Sequence, residues 1–272
     1  MKHYKSIFLA TAVAAILTAC GTSSTVPVTG RKHRLLVDDA SMLSLSTQQY
    51  KQYMTQAKVS TDKQNTQMVE RVGRRLANAV ETYLKNNGFA NEIQNFKWEF
   101  SLVQNKEVNA FCMPGGKIVV YEGILPVTKD ETSLAIVLGH EIAHAVAKHS
   151  AEQMSKQQRA NTGLQIGAGL LSVISSDQAI NSAATNAAST GLSLLNLKFS
   201  RDHESEADRI GLIFAAMAGY NPANAVAFWQ RMAASSSSNT PVWMRTHPTD
   251  EKRISDIQNK FLPEAQKYYK AQ

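Results

Sequence analysis

His140 and His144 bracket Glu141 in the run His140-Glu141-Ile142-Ala143-His144, and those three side chains together have a definite chemical use. On a helix, residues four apart project from one face, so two neutral imidazoles can share a single Zn²⁺ at about 2.0–2.1 Å. Glu141 stands beside the first of them and can reach a water at the metal without taking a coordination position. Zinc lowers the pKa of such a water, and Glu141 is placed to accept its proton as the oxygen attacks a peptide carbonyl. The expected cofactor is one zinc ion per chain, and it requires a third protein ligand.

A longer motif with Gly at position 147 and His at 150 would supply a third histidine, but the chain has Ala147 and Ser150, which excludes that subclass. The strongest carboxylate lies downstream, in Ser200-Arg201-Asp202-His203-Glu204-Ser205-Glu206-Ala207-Asp208. Glu204 and Asp208 are again four apart, so one face of a second helix offers Glu204 to zinc and Asp208 to the ring N–H of a ligand histidine. Gly139 and Ala143 on the first helix, with Ala207 and Gly211 on the second, are small enough to let two backbones close on a shared ion. By the same helical reckoning His149, five residues past His144, points away from the metal face. His149 and His203 are therefore read as structural or surface residues, and Arg253 as the partner of a nearby carboxylate such as Asp250 or Glu204.

The elements that must hold these groups are mostly helical. A polar helix is expected at 47–58, and a stronger one at 62–85, where Val69, Val72, Leu76, Val80 and Leu84 form one apolar stripe ended by Asn86-Asn87-Gly88. Phe96–Phe100 and Lys117–Tyr121 read as strands of a small antiparallel sheet, with Pro114-Gly115-Gly116 as the turn before the second. Thr128-Lys129-Asp130-Glu131 fits a capping box opening the His140 helix. The Ala/Ser/Gly/Leu-rich stretch from Asn161 to Leu197 is too often interrupted by polar residues to span a membrane, and reads as two packed helices or a loop over the site. Ser235–Ser238 reads as an exposed loop. The fold class is α+β, mostly α-helical.

With 272 residues, 43% of them hydrophobic and 19% charged, the chain can bury one sizeable core. Lys2 and Lys5 precede an apolar stretch from Ile7 to Leu17, which is the pattern of an export signal over residues 1–19. Leu17-Thr18-Ala19-Cys20 resembles a bacterial lipobox, so Cys20 is the expected site of lipidation; Gly21 after it matches lipoproteins sorted to the outer membrane. Removal of that leader lowers the net charge from +7 to +5, an excess compatible with an anionic membrane surface. No Lys/Arg run interleaved with aromatics is present, which argues against nucleic acid as a partner. Residues 20–45, Ser/Thr/Pro-rich at Thr22–Thr29, read as a lipid-anchored tether, and 46–272 as a single catalytic domain. With Cys20 acylated, Cys112 has no disulfide partner and reads as a small apolar filler.

The set Asn109-Ala110-Phe111, Pro114-Gly115-Gly116, the His140–His144 motif, Glu204-x-x-x-Asp208 and His247-Pro248 resembles the gluzincin zinc metallopeptidase family of HtpX, BepA, LoiP and the CAAX prenyl proteases. The likeness extends over about residues 45–265, and the lipobox makes it strongest toward periplasmic lipoprotein members such as LoiP. It implies a zincin-like domain with His140, His144 and Glu204 as ligands, Glu141 as general base and Asp208 behind a ligand histidine. It also implies that Asn109–Tyr121 is an edge strand, with Asn109, Ala110 and Phe111 pairing to an extended substrate. His247 is implied to approach the metal, either as an inhibitory fourth ligand or as a partner of the transition state; a histidine placed before a helix that opens with Pro248 is the plainer alternative. The expected substrates are unfolded or misassembled envelope proteins, cut at an outer-membrane surface facing the periplasm. A chaperone-like zinc lipoprotein with little or no proteolysis is the alternative reading.

Overall fold

The computed structural model describes residues 22–160, 193–234, 241–247 and 251–271. The leader, Cys20, most of the Asn161–Leu197 stretch, Ser235–Ser238, Pro248 and Asp250 lie outside them. The chain divides into two compact units. One contains strands β1 (Thr22–Thr25) and β2 (Lys32–Leu35) together with helical residues from Ala151 onward. The other contains Val26–Gly30, Asp39–Ser150 and Ser193–Gln272, and it carries both the His140–His144 motif and Glu204.

In the first unit, β1 pairs antiparallel with β2, Thr22 opposite Leu35 and Thr25 opposite Lys32. Part of the segment read as a tether, Thr22–Thr25, is thus extended strand. Its threonines favour extended backbone, and the reversal between the strands uses positive φ at Val28 and Gly30. Arg31 and His33 both face Glu152 within this unit, the Arg31 contact being 2.8 Å.

The second unit begins with α1 (Asp39–Gln56), which starts well before the expected position 47. In α2 (Lys63–Asn86) the stripe Val69, Val72, Leu76, Val80 and Leu84 is buried as the spacing predicts. Asp62 caps α2 by accepting from the Asn65 N–H at 3.0 Å, and Gly88 turns the chain away with φ +84°. The sheet comprises β3 (Glu99–Val103), β4 (Ala110–Met113) and β5 (Lys117–Tyr121), in the order β3-β5-β4. It is mixed: β4 and β5 form an antiparallel hairpin, while β3 and β5 run parallel. The hairpin turns at Gly115 and Gly116, both at positive φ, and Gly116 also meets the Trp98 ring, which would lie 2.5 Å from an added Cβ. The expected antiparallel pairing of the flanking strands is thus corrected, because β4 comes between them in sequence and takes the antiparallel side of β5.

Helix α3 (Glu131–Val146) carries His140, Glu141 and His144, and it is buried almost continuously from Ser133 to Val146. A helix apolar on every side must lie inside the protein, and α3 packs against α2, β4 and α4 (Arg201–Met217). Its N-cap is Asp130, which accepts from the Ser133 N–H at 2.7 Å. The expected box on Thr128 is absent, because Lys129 adopts φ +68° and the Thr128 hydroxyl donates back to the Leu125 carbonyl. Helices α5 (Asn224–Ala234), α6 (Val242–Thr246) and α7 (Glu251–Asp256) complete the surroundings of the site.

Candidate metal centre

The approach of α3 to α4 is set by two glycines. A Cβ added to Gly139 would lie 2.6 Å from the Gly211 carbonyl oxygen, and one added to Gly211 would lie 2.6 Å from the His140 nitrogen. Only hydrogens fit between the backbones there. His140, which directly follows Gly139, and His144 one turn further on converge with Glu204, about two turns before Gly211, and with His247; donor atoms of all four lie within 4.8 Å of one another. All four side chains are buried.

The spacing tests whether zinc fits. A tetrahedral ion with bonds of about 2.0–2.1 Å needs donors roughly 3.3 Å apart. His140 Nε2 is 3.1 Å from His144 Nε2 and 3.3 Å from His247 Nδ1, and each helix histidine is 3.5 Å from a Glu204 oxygen. His247 Nδ1 lies 3.0 Å from Glu204 Oε1. Donor types and separations both suit a single zinc ion. Among the described residues Cys112 is not part of this group; its thiol is pushed up by burial and by the charge on Glu141, which keeps it protonated.

Electrostatics agree with the geometry. Burial opposes charge on Glu204, but His247, His140 and His144 outweigh it and hold the carboxyl well below its ordinary range. Asp208 is likewise held down, burial being overcome by the Arg253 guanidinium and by His140. Burial lowers His144 far below the ordinary imidazole value despite Glu204, so its ring is neutral and its lone pair free. At His140, burial is overridden by hydrogen bonds to Asp208 and Glu204, which lift it to about 9; a cation bound there must displace that proton.

Each flanking group has an identifiable support. His140 Nδ1 is 2.9 Å from Asp208 Oδ1, the contact expected of Asp208. Arg253 clamps the same carboxylate with two hydrogen bonds of 2.6 and 2.8 Å and reaches Glu204 at 3.2 Å. Its guanidinium also lies 4.4 Å from the centre of the Trp229 ring. Arg253 is therefore tied to local carboxylates, with Asp208 as the main partner. Glu141 Oε1 accepts from the Trp243 indole N–H at 2.7 Å and lies 3.7 Å from His247 Nε2. Trp243 in turn stacks on the His247 ring, with centroids 4.6 Å apart.

The sequence model of Peptidase family M48 matches residues 63–260. This chain belongs to that family. It is 38% identical over 176 residues to the mitochondrial metalloendopeptidase OMA1 of Schizosaccharomyces pombe, a match covering 64% of this chain and 49% of the relative. The metalloendopeptidase OMA1 of Bos taurus is 30% identical over 248 residues, covering 89% and 46%. The β-barrel assembly-enhancing protease of Escherichia coli K12 is 28% identical over 272 residues, covering 95% and 53%. The chain thus spans about half the length of these curated relatives. The fold is the mostly helical α+β peptidase domain of M48, with His140, His144, Glu204 and His247 gathered as a possible metal site.

Around the M48 centre the structure also gathers residues that spacing alone missed. Trp243 carries no catalytic signature, and only its contact with Glu141 reveals it. His149 lies off the metal face, behind His144: its Nδ1 is 2.9 Å from His144 Nδ1, and its ring is fully buried. Helix α3 stops at Val146, and Lys148 takes φ +56°, so a uniform helical count fails at that residue. Of the expected substrate residues, Ala110 and Phe111 lie on β4, at the edge of the sheet, and Asn109 directly precedes it. All three line a cleft with Glu141, His144 and His247. Within Asn109–Tyr121 the edge strand is β4, since β5 is the central strand of the sheet.

Proposed function

We propose that this protein is a lipid-anchored zinc endopeptidase acting on unfolded or misassembled proteins of a bacterial envelope. His140, His144 and Glu204 hold the ion, Glu141 serves as general base and Asp208 orients His140. The observation that carries this reading is the burial of Glu141 beside three convergent donors of the right types and separations. When bound, zinc polarises the scissile carbonyl and makes water acidic enough to be deprotonated near neutral pH. Trp243 holds the Glu141 carboxylate at a fixed position, so the base needs no reorganisation to take the proton. Among the described residues β4 has a strand partner only in β5, so its outer edge can take an extended peptide and align it along the cleft that contains Glu141.

The membrane and envelope parts of the proposal rest on the leader at 1–19, on Cys20 as the acylated residue and on the likeness to a β-barrel assembly-enhancing protease. In that arrangement the domain that follows the leader works at the periplasmic face of the outer membrane. His247 acts in this account as a fourth, inhibitory donor at rest, because a catalytic zinc needs one position open to water.

The Glu141→Gln protein is expected to bind zinc normally and to lose at least about a hundredfold in cleavage of an unfolded protein such as casein, in line with removal of a general base. Equal cleavage by Glu141→Gln and wild type would overturn the assignment. His247→Ala is expected to raise casein cleavage several-fold; a fall would make His247 a participant in the reaction.

A further inference from the structure

His144 leaves the metal-facing side of α3 with its second ring nitrogen turned toward the break after that helix. Lys148 at φ +56° swings the backbone so that His149 returns against His144. Behind His149, its Nε2 meets Glu206 Oε2 at 3.0 Å, and Glu206 Oε1 accepts from the Thr29 hydroxyl at 2.5 Å. His203 stacks on the His149 ring at 4.4 Å and 15°, and Phe199 lies over His144 at 4.1 Å. These side chains form one continuous line from the metal centre to the first residues of the unit.

We propose that His149 and Glu206 are positioning residues that fix the tautomer and orientation of His144 as a zinc ligand. The inference rests on the reading of His144 as a ligand through Nε2. With that nitrogen engaged, His144 carries its proton on Nδ1 and donates it to His149 Nδ1. His149 then carries its own proton on Nε2 and donates it to Glu206. The opposite tautomer of His149 would set two N–H groups against each other at 2.9 Å and aim a lone pair at a carboxylate. With both rings neutral and Glu206 ionised, this is the one pattern that satisfies the His144–His149 and His149–Glu206 contacts together, and it leaves the His144 Nε2 lone pair for the metal. Asp208 does this for His140 in one step; Glu206 does it for His144 through an intervening imidazole.

The test uses the full-length protein, stripped with a chelator and titrated with Zn²⁺ against a chromophoric chelator, with the thermal midpoint of the metal-free form recorded alongside. His149→Leu is expected to weaken zinc binding about 10–100-fold, the loss typical of a group behind a metal-bound histidine. His149→Asn, whose Oδ1 can stand where Nδ1 accepts, is expected to stay within a few-fold of wild type. Glu206→Gln, nearly isosteric, is expected to weaken zinc several-fold with an unchanged metal-free midpoint. It decides the matter if His149→Leu does not fold. Wild-type zinc affinity in both His149→Leu and Glu206→Gln would overturn the proposal, as would His149→Asn being as weak as His149→Leu. His144→Ala separates the two layers. If it retains wild-type zinc affinity, the ligand reading itself fails; if it loses zinc while the His149 and Glu206 variants do not, only the positioning role fails.

Discussion

His140 and His144 leave the same helix one turn apart and face the same centre, yet the groups behind them are built differently. Behind His140 the support is short and charged: Asp208 touches the ring, and Arg253 clamps Asp208 with two hydrogen bonds. Behind His144 it is longer, passing through a second imidazole and Glu206 to a hydroxyl. Both arms pass through α4, whose Glu206 and Asp208 lie on either side of Ala207. One helix therefore orients both rings of the other, and the Gly139–Gly211 contact sets the distance over which it does so. The direct arm gains strength from a buried ion pair and carries the risk that goes with one; the relayed arm is selective about tautomers and depends on an unusual backbone turn.

Breaking the direct arm should have the largest effect. Asp208→Ala leaves the Arg253 guanidinium buried without its main carboxylate, and removal of one partner from a buried pair costs about 3–5 kcal/mol. Chemical denaturation of the metal-free protein should show that loss, and zinc titration should show weakened binding as well. A loss below about 1 kcal/mol would mean that Glu204 suffices to hold Arg253 and that the two arms are less distinct than described.

Pushing the helices apart should strain both arms together. In Gly211→Ala the added methyl meets Gly139 and His140 backbone atoms at 2.6–2.7 Å, and overpacking of this kind costs about 1–3 kcal/mol. Zinc affinity should fall with stability. If it holds while stability drops, the centre tolerates a shift of α4 and the glycine contact serves packing alone.

The smallest effect should come from the turn that serves only the relayed arm. Lys148 holds its left-handed backbone while its ammonium bonds Asp39 at 2.7 Å and Glu92 at 2.9 Å. Burial works against that charge, but the two carboxylates outweigh it and raise the Lys148 pKa above its ordinary value. The folded value exceeds the unfolded one, so the contribution is fully present below pH of about 10.4 and is lost as pH rises through the folded value. Lys148→Met should cost no more than about 1 kcal/mol at neutral pH, as partly exposed ion pairs do. In urea titrations, its deficit against wild type should shrink only above about pH 10. A deficit that persists unchanged in alkali would locate the effect in the backbone turn and not in the ion pairs.

The contrast between the arms also explains what could be read from the sequence. His140, His144, Glu204 and Asp208 were legible because each pair sits four apart within an unbroken helix, where spacing is geometry. Gly139, Ala143, Ala207 and Gly211 were legible as small residues on the facing sides of those helices. The contact of His149 with His144 was not legible because α3 ends before it, and a lysine at positive φ gives none of the Gly or Pro signals that mark a break. Trp243 reaches Glu141 from 102 residues away, and no local pattern encodes such a contact. The sheet illustrates the same limit: β-branched runs revealed β5, but its parallel pairing with β3 depends on the insertion of β4 between them in the chain.

The most direct test of the whole account is anomalous diffraction at the zinc absorption edge from crystals of the zinc-loaded protein. A single peak within the second unit is expected, bonded at about 2.0–2.1 Å by His140 Nε2, His144 Nε2 and a Glu204 oxygen. A peak held by a different set of side chains, or one that forms equally well in the Glu204→Ala protein, would contradict it.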